Sequence, residues 1–396
     1  MTAGALRPLL FALATAGAPS CAHGALASPS AVSAAAAAAS SAAASSAARA
    51  GDGGARAVLW LPGDDFAVVA AGNTLEWWRE EGAGASPSSQ GGRPSWLCVQ
   101  RVGNAAEPGP FFSLAAAGTG AGGERLLVAG GGRGRSASVF TAEGALLATL
   151  PGHTGWVRAA AFHDDQLYTV GCQYVKVWRR RQPEEDGSWA LVGDLEGRGD
   201  ILAIAIASGL LIAAGVSASL HCWRLPPSAA LRPSDWLQEA RRSLHLAPCQ
   251  HDGRVTGLVA SGDRLFSVGH DGRLLRRSAA DLAKDAEAAS LSPLGGGSDT
   301  GLDAEAGLRA GAEETEAEAE EGRRLLCVGL LEDGRRLACG GGAGAVRIVC
   351  AERLEEVSCH RGVHAGAPIS GVCDLGGGRV GVVSCSAPRL EMVGDV

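Results

Sequence analysis

The chain is poor in the residues on which nucleic-acid binding depends. It has only two lysines, Lys176 and Lys284, among 35 basic residues, and its aromatic content is 5%. The arginines are scattered along the sequence, and the formal net charge is -7. A protein that neutralises phosphates needs a clustered basic surface, so we do not expect a nucleic acid as the partner.

Motifs for common cofactors and nucleophiles are also missing. Neither lysine follows a glycine, which excludes a phosphate-binding P-loop, and the chain contains no HExxH zinc motif and no GxSxG elbow. The segment Gly118 to Gly123 matches the dinucleotide pattern GxGxxG, but a strand-like run, Glu124 to Val128, follows where that pattern requires a helix. We therefore predict no cofactor and no enzymatic activity.

The 11 cysteines occur singly, without a CxxC pair. Adjacent residues of a strand point to opposite faces, so His221 and Cys222 cannot readily chelate one ion. The odd number of cysteines, and the lack of a glycosylation sequon at Asn73 or Asn104, give no support for an oxidising compartment. We predict free, mostly buried thiols and no metal site.

What the chain does contain is a repeated pattern of short apolar runs separated by turn residues. The clearest unit, Pro151 to Arg180, begins with Gly152 and His153, continues with two strand-like runs and ends with a third run that contains Trp178. A unit of three or four short antiparallel strands cannot bury its faces alone. Similar neighbouring units are therefore expected.

Six further units can be recognised. The unit Asp200 to Leu225 contains Trp223, 45 residues after the Trp of the clearest unit, and the unit His251 to Ser278 has Asp271 and an arginine in place of that Trp. The others are Ala57 to Val102, Phe111 to Leu150, Arg323 to Val357 and His364 to Val393. No helical periodicity of useful length separates the runs, so we predict an all-β propeller of seven blades with three to four antiparallel strands each; six or eight blades are the alternative counts.

The segment Pro151 to Arg180 resembles a WD40 repeat, and the resemblance extends over residues 57 to 394. In that family an Asp before the third strand joins a hydrogen-bond network with the His of a Gly-His pair and a Trp. The resemblance assigns structural roles in the repeat to Gly152, His153, Trp178, Trp223 and Asp271. Cys172 and Ser217 occupy the Asp position in the two clearest units, and in the third unit only the Asp is expected to remain. No blade is expected to have the complete network.

The resemblance also implies where partners bind. WD40 proteins bind peptides and proteins on the face formed by the loops before each innermost strand and between the second and third strands. The residues expected there are Trp156, Tyr174, Arg254 and His270. Aromatic and arginine side chains often anchor interfaces, so we predict a non-catalytic scaffold or adaptor.

The alternative function is a propeller enzyme or small-ligand binder in a plastid or secretory lumen. Such a protein should place several Asp, Glu, His or Arg residues at equivalent starts of the innermost strands and should have a metal or cofactor motif. The sequence analysis identifies neither feature.

Two segments differ from the repeats. Residues 1–50 are rich in Ala and Ser and contain no carboxylate, which is typical of a plastid transit peptide, a signal peptide or a disordered tail; the compartment is therefore open, with a plastid favoured over cytoplasm or secretion. The apolar run Leu9 to Ala16 is too short to span a bilayer, so no transmembrane segment is expected. Residues 284–322, between units five and six, are predicted to be a disordered acidic insertion.

Ring closure has three possible forms. WD40 rings usually complete the last blade with a strand from the N-terminus, whereas the sequence after His364 provides three strand-like runs. The last blade has three strands, or the Ala-rich leader supplies a fourth, or the chain is truncated. An unpaired edge strand would be open to pairing with another chain.

Overall fold

The structure, a computed structural model, describes residues 54–61, 65–80, 96–105, 107–117, 125–181, 187–226, 232–289, 291 and 322–394. Within these residues the chain forms seven antiparallel sheets arranged as a β-propeller, which confirms the predicted fold and blade count. The leader, residues 1–50, and the GxGxxG segment lie outside the described residues.

The first four blades have four strands each. In chain order the strands are β1 (Ala55–Leu61), β2 (Phe66–Ala71), β3 (Thr74–Glu80) and β4 (Trp96–Gly103) in blade 1; β5 (Phe111–Ala117), β6 (Leu126–Gly131), β7 (Ala137–Thr141) and β8 (Leu146–Leu150) in blade 2; β9 (Val157–His163), β10 (Gln166–Gly171), β11 (Tyr174–Arg180) and β12 (Trp189–Glu196) in blade 3; and β13 (Ile201–Ala207), β14 (Leu210–Gly215), β15 (Ser219–Arg224) and β16 (His245–Pro248) in blade 4.

The last three blades differ in their fourth strand, which is short in blade 5, longer in blade 6 and not found among the described residues of blade 7. Their strands are β17 (Val255–Ser261), β18 (Arg264–Gly269), β19 (Leu274–Ser278) and β20 (Glu287–Ala288) in blade 5; β21 (Leu325–Leu331), β22 (Arg336–Gly341), β23 (Val346–Cys350) and β24 (Glu356–His360) in blade 6; and β25 (Ile369–Gly376), β26 (Arg379–Ser384) and β27 (Ala387–Val393) in blade 7.

The first strand of each blade contacts the first strands of both neighbouring blades, so these seven innermost strands line the ring. Each of them has a β-bulge at its second residue. In blade 3, for example, Val157 pairs with Gly171 and Ala159 with Val170, while Arg158 between them has no partner in the register. A bulge turns a strand locally and changes the direction of a side chain. The seven bulged residues are Arg56, Phe112, Arg158, Leu202, Thr256, Leu326 and Ser370.

The close packing of the innermost strands determines the burial and the size of the residues on both sides of the bulge. The residue before it is apolar and almost fully buried in every blade, as Val157 and Ile369 are. The residue after it is small in every blade, because the neighbouring strand approaches closely. In blade 7 a Cβ on Gly371 would lie 3.2 Å from the backbone of Ala57 and Val58 in blade 1. The residues after the bulge are Ala57, Ser113, Ala159, Ala203, Gly257, Cys327 and Gly371.

The ring closes between blades 7 and 1 through the innermost strands β25 and β1. The Ser370 hydroxyl donates to the Ala55 carbonyl oxygen at 2.6 Å, and the Arg379 guanidinium lies 2.6 Å from the Glu80 carboxylate. Apolar residues of both blades share one core cluster. Of the described residues, three strands form blade 7, so closure takes place without a fourth strand among them.

Two features were not predicted correctly from the sequence. The acidic insertion was predicted to begin at Lys284, but Glu287–Ala288 form the outer strand of blade 5; residues 292–321 lie outside the described part of the chain. A helix, α1 (Pro233–Arg242), lies between β15 and β16 although no helix was expected. It packs on β12, where a Cβ on Gly193 would lie 2.3 Å from the Leu237 side chain. In the described residues, no helix has the length and apolar character to cross a bilayer.

The seam between blades 7 and 1 can be tested with Gly371→Val. The added side chain would clash with backbone atoms of the facing strand, which cannot move aside as a flexible side chain can. We therefore expect the free energy of unfolding to fall by about 1–3 kcal/mol. Urea unfolding gives this value. Gly394→Val is the control, because a Cβ there has no atom within 4 Å. Equal stability of the two variants would contradict the close approach of the two strands.

Candidate functional site

The site lies where the innermost strands begin, at one mouth of the ring. Bulged residues of three successive blades meet there. Phe112 of β5 stacks on Trp156, which precedes β9, with ring centroids 4.8 Å apart and an interplanar angle of 11°. The guanidinium carbons of Arg56 and Arg158 lie 4.6 and 5.5 Å from the Phe112 centroid. We call these four residues the arginine-aromatic cluster.

Each member of the cluster is positioned by the fold. Arg56, Phe112 and Arg158 occupy the same register position in blades 1, 2 and 3, so their contact follows from the equivalent bulges. The Arg158 guanidinium also lies 5.0 Å from the Trp156 ring. Cation–π contacts of this kind stabilise exposed pairs by about 0.5–1 kcal/mol. The four side chains therefore hold one another in place while Trp156 remains 48% exposed.

Two charged residues from other blades influence the cluster electrostatically. Asp200 immediately precedes β13 of blade 4, and Arg254 immediately precedes β17 of blade 5. Partial burial lowers the pKa of Arg158; Asp200 acts against this shift, and the positive charges of Arg56 and Arg254 add to it. The Arg158 guanidinium therefore lies in the field of one carboxylate and of two further guanidinium groups.

A shallow cavity of about 240 Å³ lies beside the cluster. Its polar lining comes from Arg135, Arg158 and Asp200, and the Trp156 ring and the Cys172 thiol complete much of the wall. The cavity is open to solvent and smaller than the range of about 300–1,000 Å³ that is usual for small-molecule sites.

The four residues predicted to bind partners lie at the same end of the strands, but the structure does not bring all of them together. Trp156 is in the cluster, and Arg254 interacts electrostatically with Arg158. His270 lies beside Arg254, because its amide donates to the Arg254 carbonyl oxygen at 3.0 Å. Tyr174 begins β11, the third strand from the centre, and pairs there with Gly171 and Glu196.

Arg56, Phe112, Arg158 and Asp200 were not predicted from the sequence. No recurrence of charged residues at the innermost-strand starts was recognised, whereas the structure places Arg56, Arg158, Asp200 and Arg254 there. The available signal was positional: in the structure Arg56, Phe112 and Arg158 are each the second residue of an innermost strand, and Asp200 immediately precedes one. The first unit was predicted to begin at Ala57, so Arg56 lay outside the predicted strand. Without the register, this position could not be recognised as equivalent in different blades.

A buried hydrogen-bond network lies within blade 3, below the mouth. The Trp178 indole nitrogen donates to the Thr169 hydroxyl at 2.8 Å, and this hydroxyl lies 2.9 Å from His153 Nε2. His153 Nδ1 is buried without a partner in the structure. Cys172, at the position where the resemblance expects an Asp, has its sulfur against Gly155 instead. The network therefore contains His, Thr and Trp.

Blade 5 has a second partial network, which contains the Asp that blade 3 lacks. His251 Nδ1 lies 2.9 Å from the Asp271 carboxylate, and His251 Nε2 lies 2.9 Å from the Ser267 hydroxyl. Arg277 replaces the Trp and donates to the carbonyl oxygens of Pro248 and Cys249. The expectation that only Asp271 remained in this unit was wrong, because His251 is in the network although no glycine precedes it.

The Asp271 carboxylate is held in its charged form. Its burial favours a higher pKa, but the hydrogen bond and charge of His251 and the amides of Arg273 and Asp252 outweigh this effect, and the pKa is lowered.

Of the other residues with a predicted structural role, Gly152 has a φ of 95°, which favours glycine. Trp223 is 1% exposed and stacks on His221.

The thiols of the described residues are free. Burial raises the pKa of Cys222 and of Cys327 to about 12, so these thiols stay protonated at neutral pH. In the described ranges, no three His, Cys, Asp or Glu side chains lie close enough together to bind a metal ion.

No protein-family model matches the chain, and no curated protein shows significant sequence similarity to it. The blades, the mouth and its electrostatics therefore provide the basis for assigning a function.

The blade 3 network can be tested with Thr169→Val, which removes the shared hydroxyl and retains the side-chain shape. Trp178 and His153 would each lose a buried partner, so we expect the free energy of unfolding to fall by about 1–3 kcal/mol. Thr141→Val is the control, because the Thr141 hydroxyl accepts an exposed amide at 3.3 Å. The network would be ruled out as a stabilising element if both variants unfolded at the same urea concentration.

The buried His153 predicts a pH dependence. Burial, and to a smaller extent the charge of Lys176, lowers its pKa from 6.5 to about 4, while Asp194 acts in the opposite direction. Between these two pH values the unfolded chain binds a proton that the folded chain does not bind, so stability is lost as the pH falls from 6.5 towards 4. The loss is on the order of 2–3 kcal/mol. Urea unfolding at several pH values gives the free energy of unfolding of wild type and of His153→Gln. Between pH 6.5 and 4 this free energy should change less steeply with pH in the variant; an identical pH dependence would exclude His153 as the source.

Proposed function

We propose that this protein is a non-catalytic interaction scaffold of WD40 type that binds partner proteins or peptides at the mouth with the arginine-aromatic cluster. The observation that supports this most directly is the cluster itself. It combines one exposed Trp with arginines from separate blades on a surface supported by seven packed sheets. Trp and Arg are the residue types that most often dominate binding energies in interfaces.

The shape of the mouth favours a protein partner. Its cavity is shallow and small, whereas a small-molecule site normally encloses most of its ligand. A peptide or folded partner gains affinity from the surrounding surface and needs only to insert one anchor. Trp156 precedes the first strand of blade 3 and Arg254 that of blade 5, so a partner that touches both extends over three blades.

The WD40 assignment is supported by the two partial networks. Blade 3 has the His, hydroxyl and Trp of that arrangement, and blade 5 has the Asp, His and hydroxyl. Neither blade has the Asp, the His and the Trp together. The same groups recur at the same positions in two blades of one ring, which favours descent from a common repeat.

A small-ligand binder or enzyme is the second candidate, and one observation favours it. Arg158 lies at the start of one innermost strand, Asp200 and Arg254 immediately precede two others, and both act electrostatically on Arg158. Converging charged groups of this kind are common in ligand sites. We favour the scaffold because the cavity is small and open to solvent and Trp156, on its wall, is 48% exposed.

Proximity labelling of the tagged full-length chain in its native cell tests the proposal. We expect a set of protein neighbours that is lost in the double variant Trp156→Ala, Arg158→Ala. The control is Leu191→Ala with Arg242→Ala, which removes a similarly exposed apolar residue and an exposed arginine away from the mouth. If both double variants kept all the neighbours, the binding face would be wrong.

The proposal would fail entirely if the wild type had no protein neighbours above background while the purified chain converted a small molecule. That outcome would favour the enzyme.

A further inference from the structure

Three guanidinium groups at the mouth contact aromatic rings or each other's field but have no hydrogen-bond or ion-pair partner among the described residues. Elsewhere arginines pair with carboxylates, as Arg101 does with Glu76 at 2.8 Å and Arg179 with Asp165 at 3.0 Å. In the described part of the chain, the side chains of Arg56, Arg158 and Arg254 form no ion pair and donate no hydrogen bond.

The Nε atom of Arg56 is buried without a partner. An unpartnered buried donor is costly, and a ligand with acceptor oxygens would satisfy it.

The aromatic rings of the cluster are already engaged. Phe112 has Trp156 stacked on it and Arg56 over it, and Arg158 lies over the Trp156 ring. A single-stranded nucleic acid would need free aromatic faces for its bases. Here those faces hold guanidinium groups in place, which pre-orients the planar N–H donors of arginine for carboxylate oxygens.

The charges at the mouth favour an acidic ligand. Arg56, Arg158 and Arg254 lie at or beside the starts of innermost strands, and Asp200 is the carboxylate that acts on Arg158 there. An acidic segment is therefore attracted where the three guanidinium groups lie. Such a distribution directs the approach of a ligand as well as strengthening its binding.

We infer that the mouth binds a peptide segment rich in glutamate or aspartate side chains. This inference rests on the proposed function and adds the chemistry of the partner. A carboxylate of the segment takes hydrogen bonds from Arg158, with Trp156 against the neighbouring part of the peptide. Arg254, two blades further along the ring, binds a second carboxylate, so a run of acidic residues is bound more tightly than one.

Fluorescence anisotropy with the purified full-length chain tests this inference. The probe is a labelled, C-terminally amidated peptide of alternating glutamate and glycine, so that side-chain carboxylates are its only ones. We expect Arg158→Gln or Arg254→Gln to weaken binding by about tenfold or more, and added salt to weaken wild-type binding. Arg242→Gln, an exposed arginine on α1, is the control and should bind like wild type. Circular dichroism verifies that each variant is folded.

Several results would overturn the inference. They are equal binding of the matching glutamine-glycine peptide, unchanged binding by the Arg158 and Arg254 variants, no binding of the acidic peptide, or tighter binding of oligothymidylate. Competition by inorganic phosphate at concentrations that leave an unlabelled acidic peptide without effect would assign the site to phosphate instead. The proposed function has a separate outcome: if cellular partners depend on Trp156 and Arg158 but the acidic peptide does not bind, the scaffold stands and only the partner chemistry is wrong.

Discussion

The close approach of the seven innermost strands is the constraint on which the rest of the structure depends. Each strand contacts the first strand of both neighbours, and the backbone of Ala57 and Val58 would lie 3.2 Å from a Cβ on Gly371. Only small residues fit after the bulge. The bulge in turn places one side chain per blade near the mouth, so the packing that closes the ring also selects the residues that can form a site.

Polar groups in this propeller are satisfied by different means in different blades. Blade 3 uses His153 with a hydroxyl and an indole, and blade 5 uses His251 with a carboxylate and a hydroxyl. In blade 2 the buried Glu107 carboxylate accepts from the amide of Gly134 at 2.6 Å and the hydroxyl of Ser136 at 3.0 Å. Each arrangement links the loop before the innermost strand to the second strand or the turn after it. Different chemistry thus holds the same loop, which explains how the repeats can diverge and retain the fold.

The number and order of the blades could be predicted from the sequence because each strand is a short apolar run bounded by turn residues. Blade 3 is an example, where Gln166–Gly171 and Tyr174–Arg180 are separated by two residues. The helix α1 could not be predicted in this way, since only Trp236, Leu237 and Ala240 are buried and ten residues carry too short a periodicity. The strand Glu287–Ala288 has an acidic composition that sequence analysis assigns to a loop.

The site was harder to predict than the fold. Trp156 and Arg254 were identified because they lie in loops before innermost strands. Arg56 and Phe112 were not, because nothing in their local sequence indicates that two residues 56 positions apart occupy equivalent bulges. These side chains meet at the mouth because they occupy equivalent positions of different innermost strands. This equivalence can be recognised only when the seven innermost strands are aligned in the structure.

Hydrogen exchange of the full-length chain, with and without a bound partner, tests whether the starts of the innermost strands form one binding surface. We expect amides at the starts of β1, β5, β9 and β17 to gain protection together, although they lie in four blades and are far apart in the sequence. Protection confined to one blade, or to the outer strands such as β12 and β24, would contradict it.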